Sequence, residues 1–307
     1  MSVEELKKVQ RRIIKKNRII NIIFAIIMIF ILLFNIYIIY VLNNMFNIII
    51  FEIIWLIVFE FTIFFMIFNF VKNISLHDDK ALFEANYKRI FVLESLKEIF
   101  DNLNYNPNEG IAEEIVSKSG LIYLQDRFSS NDYISGTYKN INFEQSDVCV
   151  EKKEVDDNNN ERWIITFLGR WMNFEFNKEF KTNVIIFDSK EYNWWRSYYD
   201  KIEMEDDEFN KTFSVYAQNE HEAFYILTPH FMEKMKNIEK AINGRITFGF
   251  INNRLYIALN NDDDSFEYNI LKPINEIEIK ESIKNDIKII TDFVDELNLD
   301  NDLFKEV

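Results

Sequence analysis

This chain of 307 residues contains only one cysteine, three prolines, six glycines and three histidines. A single Cys149 excludes a disulfide framework and any metal site built on several thiolates. The scarcity of proline and glycine excludes collagen-like and low-complexity chains. His77, His221 and His230 are scattered along the sequence, and phosphate-loop, dinucleotide and serine-hydrolase motifs are missing. We therefore predict no catalytic residue, no cofactor and no metal ion.

Charge is divided sharply along the chain, whose formal net charge is −15. Residues 1–18 carry seven cations and two acids, residues 19–71 contain no Lys, Arg or Asp, and the negative excess lies after residue 71. An acidic body argues against nucleic acid as a partner, because binding phosphates requires Lys and Arg. The basic head, residues 1–18, favours contact with anionic membrane lipids.

Two apolar runs, 19–42 and 46–71, are separated by Asn43, Asn44 and Met45. A bilayer core about 30 Å thick needs roughly 20 apolar residues in a helix, so the runs predict a transmembrane helical hairpin. A cleaved signal peptide is the alternative for the first run, but that run is too long and no small-residue cleavage site follows it.

Cations lie on one side of this predicted hairpin. They precede the first run and follow the second at Lys72, Lys80, Lys88 and Arg89, whereas the connecting turn has none. The positive-inside rule therefore predicts a cell-membrane protein with both termini in the cytoplasm.

Two acids fall inside the second apolar run. Helical rise places Glu60 near the bilayer midplane and Glu52 near the far interface, with Asn35 of the first helix at the depth of Glu52. Such acids serve either as an ion or proton path, or as a polar contact to the backbone, a partner helix or a second copy. A two-helix hairpin cannot enclose a path alone, so the sequence favours a polar contact, and oligomerisation over transport.

The remainder is predicted to form a helical stalk (72–120) and a cytoplasmic domain (121–307). A helix is predicted over 77–103, because apolar residues recur there at helical spacing. Beyond it we predict an α+β fold, a mostly antiparallel sheet with helices and a long C-terminal helix. The predicted strands are 132–155 (a strand or a hairpin), 162–177, 183–188, 202–205, 212–217, 246–250, 254–259 and 266–270. The predicted helices are 110–118, 219–227, 229–241 and 277–299.

Three stretches, Asp132–Ser146, Phe167–Phe180 and Met204–Glu233, resemble the bacterial membrane-anchored domain-of-unknown-function family 3137. The resemblance covers roughly residues 70–300 and implies two N-terminal helices followed by one soluble domain. It carries over no activity and no catalytic residues. Family members are encoded near small membrane proteins of the LemA type, which implies a partner of that kind; a homo-oligomer is the alternative. The motif residues are predicted to be structural, with the glycines at strand ends or bulges and the large apolar residues in the core: Gly136, Gly169, Phe209, Phe213, Tyr216, Ala223, Tyr225, Leu227, Pro229 and Glu233.

An aromatic run departs from the family pattern. Trp and Tyr favour interfaces and binding hot spots, so Trp194, Trp195, Tyr198 and Tyr199 are either a recognition surface or part of the core. Taken together, the sequence predicts a membrane protein whose acidic domain binds or scaffolds. The alternatives are an enzyme with a cytoplasmic active site, and a channel or transport accessory that uses Glu52 and Glu60.

Overall fold

The computed structural model describes residues 1–46, 50–157, 159–175, 181–189, 199–252, 254–297 and 299, and it leaves the side chains of residues 42–56 undescribed. The chain divides into two compact units. The first consists of Met1–Ile90 with Asn269–Asn275, and the second of Phe91–Tyr268 with Glu276–Val307. The architecture is α+β, as the sequence predicts.

Two long helices form most of the first unit: α1 (Val3–Phe46) and α2 (Ile50–Tyr87). Both are long and apolar enough to cross a membrane. They run antiparallel, since Phe24 of α1 stacks on Phe64 of α2 with ring centroids 5.2 Å apart. Lys72 donates to Asn21 Oδ1 at 3.2 Å at the level where the apolar run of α2 ends.

The basic head is the first part of α1, because that helix already begins at Val3. Leu6, Val9 and Ile13 are buried along one face. Cations are exposed along the opposite face, at helical spacing: Lys8, Arg11, Lys15 and Arg18. This part of the helix is therefore amphipathic and buries its apolar face within the protein.

Polar contacts fasten the same end of the first unit. Lys16 forms an ion pair with Asp79 at 3.2 Å. Gln10 Nε2 donates to the carbonyl oxygens of Ile270 (2.9 Å) and Lys272 (2.5 Å). The segment Asn269–Asn275 is thereby tied to the first helix of the chain.

The helix predicted over 77–103 ends early, and its last part is wrong. A π-helical turn (Lys88–Val92) and α3 (Leu93–Lys97) follow α2, and β1 (Asp101–Asn106) begins four residues later. Phe100, which continued the helical spacing in the sequence, packs on Phe143 of the sheet with centroids 4.6 Å apart. An apolar residue that lies between a helix and a strand satisfies both patterns, so the spacing did not mark the boundary.

A nine-stranded sheet, with every pairing antiparallel, forms the second unit. Its order is β1-β2-β3-β4-β9-β8-β5-β7-β6. The remaining strands are β2 (Arg127–Tyr138), β3 (Ile141–Val155), β4 (Glu161–Glu175), β5 (Val184–Asp188), β6 (Asp200–Ile202), β7 (Phe213–Ala217), β8 (Arg245–Ile251) and β9 (Arg254–Asn260). The helices are α4 (Glu113–Ser119), α5 (Asp207–Thr212), α6 (Glu220–Ile226), α7 (Pro229–Ala241) and α8 (Glu276–Leu297).

Both faces of the sheet carry a core. On one face Val148, Val150 and Trp171 form a cluster with Val116 of α4. On the other, Phe293 of α8 contacts Phe174 at 6.5 Å and Phe248 at 6.3 Å between ring centroids. The ring contacts continue in both directions and join seven phenylalanines: Phe100, Phe143, Phe174, Phe293, Phe248, Phe213 and Phe209.

The bounds of α7 agree with the helix predicted over residues 229–241. Thr228 Oγ1 accepts a hydrogen bond from Phe231 N at 3.3 Å, and Pro229 occupies the first helical turn. The strand predicted at 266–270 is wrong. Phe266 has a φ of 61°, and its backbone N–H donates to Asp286 Oδ2 at 3.2 Å, so this segment is a loop held by α8.

Gly136 and Gly169, predicted at strand ends or bulges, lie within β2 and β4, and Gly169 forms the terminal pair of the β4–β9 ladder with Asn260. Gly169 has a φ of 155°, and a Cβ there would lie 2.1 Å from the Leu259 carbonyl oxygen. A Cβ on Gly136 would lie 3.1 Å from the Asp101 carbonyl oxygen. Gly169 is therefore required by the close approach of the chain that leaves β9, and Gly136 is required less strictly.

Replacing each glycine by alanine tests this difference. We expect Gly169→Ala to lower the free energy of unfolding by about 3 kcal/mol or more, because it combines a backbone clash with a strained φ. Gly136→Ala should cost only about 1 kcal/mol. Urea denaturation of the full chain in detergent, followed by tryptophan fluorescence, measures both values. Equal losses for the two variants would contradict the assignment.

Candidate functional site

The prediction that Asn35 lies level with Glu52 of the second apolar helix is wrong. Asn35 Nδ2 donates to Glu60 Oε2 at 3.1 Å, so Asn35 lies level with Glu60 and not with Glu52. The error came from the turn, which was predicted at residues 43–45, whereas α1 continues to Phe46 and α2 begins at Ile50. This difference changes which residues of α1 lie opposite which residues of α2. The side chain of Glu52 lies outside the described residues.

The aromatic run falls mostly outside the described residues, which exclude Trp194, Trp195 and Tyr198. Tyr199 is described and partly buried, and it packs against the core cluster that contains Trp171. For Tyr199 the core interpretation is the one that agrees with the structure.

Most apolar residues of the third resemblance stretch are buried, as expected: Phe209, Phe213, Tyr216, Ala223 and Leu227. Phe224 and Tyr225 are exceptions, because 37% and 56% of their surfaces are exposed. In the short helix α6, Ala223 and Ile226 face the core, and Tyr225 points to a different side.

Glu233 belongs to an ion cluster centred on Lys236 of α7. Lys236 Nζ lies 2.8 Å from Asp206, 3.0 Å from Glu208 and 3.0 Å from Glu233. Hydrogen bonds, above all to Asp206, raise the pKa of Lys236. Asp206 also caps α5 by accepting from the N–H groups of Glu208 and Phe209. This cluster joins α5 to α7 and is structural.

A buried charge cluster lies where β3 and β4 meet the loop after β9. Asp147 accepts from Ser265 N at 2.7 Å and from Ser265 Oγ at 2.9 Å. Arg170, its neighbour across the strands, has no exposed surface and donates to Asp286 Oδ1 at 2.9 Å. Burial raises the pKa values of both carboxyls, although the Arg170 guanidinium opposes the shift. Shifted acids of this kind are typical of functional sites and of structural ion networks alike.

Beside it lies a second group of acids that the sequence did not suggest. Carboxylate oxygens of Asp132, Asp264 and Glu267 lie within 4.8 Å of one another. Asp132 is already engaged, since it accepts from Tyr105 Oη at 2.6 Å and from Asn131 Nδ2 at 3.1 Å. Burial and the Asp132 charge raise the pKa of Tyr105, which keeps it a hydrogen-bond donor. Asp132 already accepts a hydrogen bond from Tyr105 of β1, and Asp147 accepts two from Ser265 in the loop after β9. These acids therefore hold β1 and that loop against the sheet.

A cleft of about 550 Å³ among the described residues is a candidate binding site. It lies between the end of α7, the loop after β9 and α8. Its polar lining residues are Asn243, Asn261, Asp262, Asp263, Asn285, Lys288 and Asp292. Lys288 forms an ion pair with Asp292, and the C-terminal end of α7 adds partial negative charge. The cleft therefore offers mainly acceptors and suits a cationic or hydrogen-bond-donating ligand.

A smaller groove of about 270 Å³ crosses strands β1 to β4 and β9. Its polar side chains and the adjacent Asn173 form hydrogen bonds with one another. Asn173 donates to Glu144 at 2.7 Å, Asn142 donates to Glu175 at 2.8 Å, and Arg254 donates to Glu175 at 3.2 Å. Since these groups already satisfy one another, the groove offers fewer open hydrogen-bonding positions than the cleft.

The pKa of Asp147 gives a test with a defined sign. The folded chain holds the Asp147 proton more tightly than the unfolded chain, so the free energy of unfolding falls as pH rises above its ordinary pKa of 3.8. Asp147→Asn removes this titration and can still accept from Ser265 N. We therefore expect the variant to gain stability relative to the wild type between about pH 4 and pH 7, starting from the unfolded Asp pKa. Urea midpoints across that range measure the gain. An identical pH profile for the two chains would contradict it, and the exposed-acid variant Glu281→Gln is the control that should show no gain.

Comparison with known proteins gives three results. A family described as a protein of unknown function, DUF3137, matches residues 165–299. No curated protein matches the chain at a significant level. A similar solved structure is the crystal structure of the mycobacterial trehalose monomycolate transport factor A, with 8% sequence identity and a TM-score of 0.37 over 70% of this chain and 94% of that one.

Proposed function

We propose that this chain, whose residues 165–299 match the model of the DUF3137 family, is a membrane-anchored binding or scaffolding module of the bacterial cell membrane. Its hairpin spans the bilayer twice, and its acidic α+β domain works in the cytoplasm.

Cation positions support this orientation. Lys16 of α1 and Lys72 of α2 are bonded to Asp79 and Asn21 of the opposite helix, so both ends of the apolar hairpin carry cations on the same side. Positive residues next to membrane helices stay in the cytoplasm. The chain continues from α2 into the sheet domain, and this continuity supports the proposal that the domain is cytoplasmic.

The observation that carries the binding role is the acceptor-rich cleft between α7 and α8. All its lining residues lie within the segment that matches the family, and its volume is within the range of about 300–1,000 Å³ typical of ligand sites. Asp262 and Asp263 at its rim favour a cationic group. We propose that the cleft receives a basic side chain or segment of a protein partner.

The partners proposed for this module follow from the exposed cations of α1 and from the family resemblance. The exposed cations of α1 suit anionic headgroups of the membrane lipids. The family resemblance implies a small LemA-type membrane protein as the protein partner. A second copy of the chain is the alternative.

Cysteine labelling tests the orientation. In a Cys149→Ser background, Ser2→Cys and Glu281→Cys report the proposed cytoplasmic side, and Asn44→Cys reports the opposite end of α1. We expect a membrane-impermeant maleimide to label only Asn44→Cys in intact cells, and all three after permeabilisation. Labelling of Ser2→Cys or Glu281→Cys in intact cells would refute the proposed topology.

A charge-matched pair of variants tests the cleft. Full-length protein in nanodiscs is titrated with a fluorescent lysine-rich peptide, and anisotropy gives the dissociation constant. We expect Asp262→Asn/Asp263→Asn to weaken binding at least fivefold, because it removes two carboxylates from the cleft. Glu281→Gln/Glu296→Gln removes the same charge from exposed positions of α8 and should change binding less than twofold. Equal weakening by both pairs would show that binding depends on net charge alone.

A further inference from the structure

Asn35 and Glu60 form a polar pair deep in the apolar part of the hairpin. Asn21 and Lys72, which are hydrogen-bonded, mark the level at which the apolar run of α2 ends. From there, the helical rise places Asn35 about 21 Å and Glu60 about 18 Å along their helices. In a hydrocarbon core about 30 Å thick, both residues lie near the middle of the membrane.

The pair lies on the outer surface of the hairpin. Glu60 is exposed, and Asn35 is half-exposed. The neighbouring side chains Phe34, Ile36 and Phe59 are exposed and apolar, as a lipid-facing surface requires. Lipid tails offer no hydrogen bonds, so polar atoms left unused at this depth are costly.

The bond between the two residues uses only part of their capacity. Among the described side chains, Asn35 and Glu60 make this hydrogen bond and no other. A neutral carboxyl, the form that hydrocarbon tolerates, carries one O–H donor, and the asparagine keeps Oδ1 as an acceptor. One donor and one acceptor therefore remain side by side on the same surface.

We infer that two copies of this chain associate inside the membrane through Asn35 and Glu60. Glu60 of one copy donates its O–H to Asn35 Oδ1 of the other, and the second copy returns the same bond. A two-fold axis along the membrane normal keeps both pairs at equal depth, because both copies have the same topology. The contact is self-complementary, whereas a foreign helix would have to supply a donor and an acceptor at that depth. The inference rests on the proposed membrane placement and adds the partner to it.

Self-association of the full chain in liposomes tests the inference. Single-molecule photobleaching over a series of protein-to-lipid ratios gives the dimer dissociation constant. We expect the wild type to dimerise and Glu60→Leu to raise this constant at least tenfold. Glu60→Gln should stay within threefold of the wild type, because a carboxamide also supplies a donor and an acceptor. Phe59→Leu, on the neighbouring lipid-facing surface, is the matched control and should leave the constant unchanged.

The outcomes separate this inference from the proposed function. Carbonate extraction and circular dichroism first establish that each variant is inserted and helical. If carbonate extracts the wild-type chain from the liposomes, this result would overturn both the membrane placement and the dimer. An inserted wild type that stays monomeric, or an inserted Glu60→Leu that dimerises like the wild type, would overturn the dimer alone.

Cross-linking locates the contact. Ile67 lies seven residues after Glu60 and therefore on the same face of α2, whereas Met66 points about 120° away. Both side chains are exposed. In the Cys149→Ser background, oxidation should cross-link Ile67→Cys at least fivefold faster than Met66→Cys. Equal rates would overturn the proposed face.

Discussion

Phe293 is the residue on which the packing of the sheet domain depends. Its ring contacts Phe174 of β4 and Phe248 of β8, two strands that are separated by β9 in the sheet. The C-terminal helix thereby holds the long strands of the first half of the sheet and the short strands of the second half against one surface. The cleft also depends on this helix, since α8 supplies one of its walls. A binding site built on α8 is therefore as rigid as the aromatic contacts beneath it.

Charged residues on the surface of the domain are mostly acidic, whereas the buried Arg170 and Lys236 form ion pairs. The excess acid of the sequence lies mostly at exposed positions, where it keeps the domain soluble and repels anionic lipid. The buried charges occur in matched groups, such as Arg170 with Asp286 and Lys236 with three acids. These groups fasten loops and short helices that have little apolar surface of their own. The same composition thus provides both an acidic exterior and a set of internal ties.

The sequence predicts those features that depend on neighbouring residues. The hairpin follows from two apolar runs, and the start of α7 follows from Thr228 and Pro229, because a cap and a proline act within one turn. Prediction from the sequence fails where contacts between distant residues determine the structure. Phe100 continues a helical spacing yet packs against the sheet, and the acids around Asp132 come from two segments that are far apart in the sequence. The level of Asn35 relative to the two acids was also predicted wrongly, since a small error in the position of the turn changes which residues of the two helices face each other.

The bond between Gln10 and the carbonyls of Ile270 and Lys272 joins residues that are 260 and 262 positions apart. A ribosome working at about 5–20 residues per second needs on the order of 10–50 seconds to span that interval. The first helix is therefore made long before the segment Asn269–Asn275, which completes its polar contacts, exists. The polar contacts of Gln10 are therefore completed only after Lys272 has been synthesised.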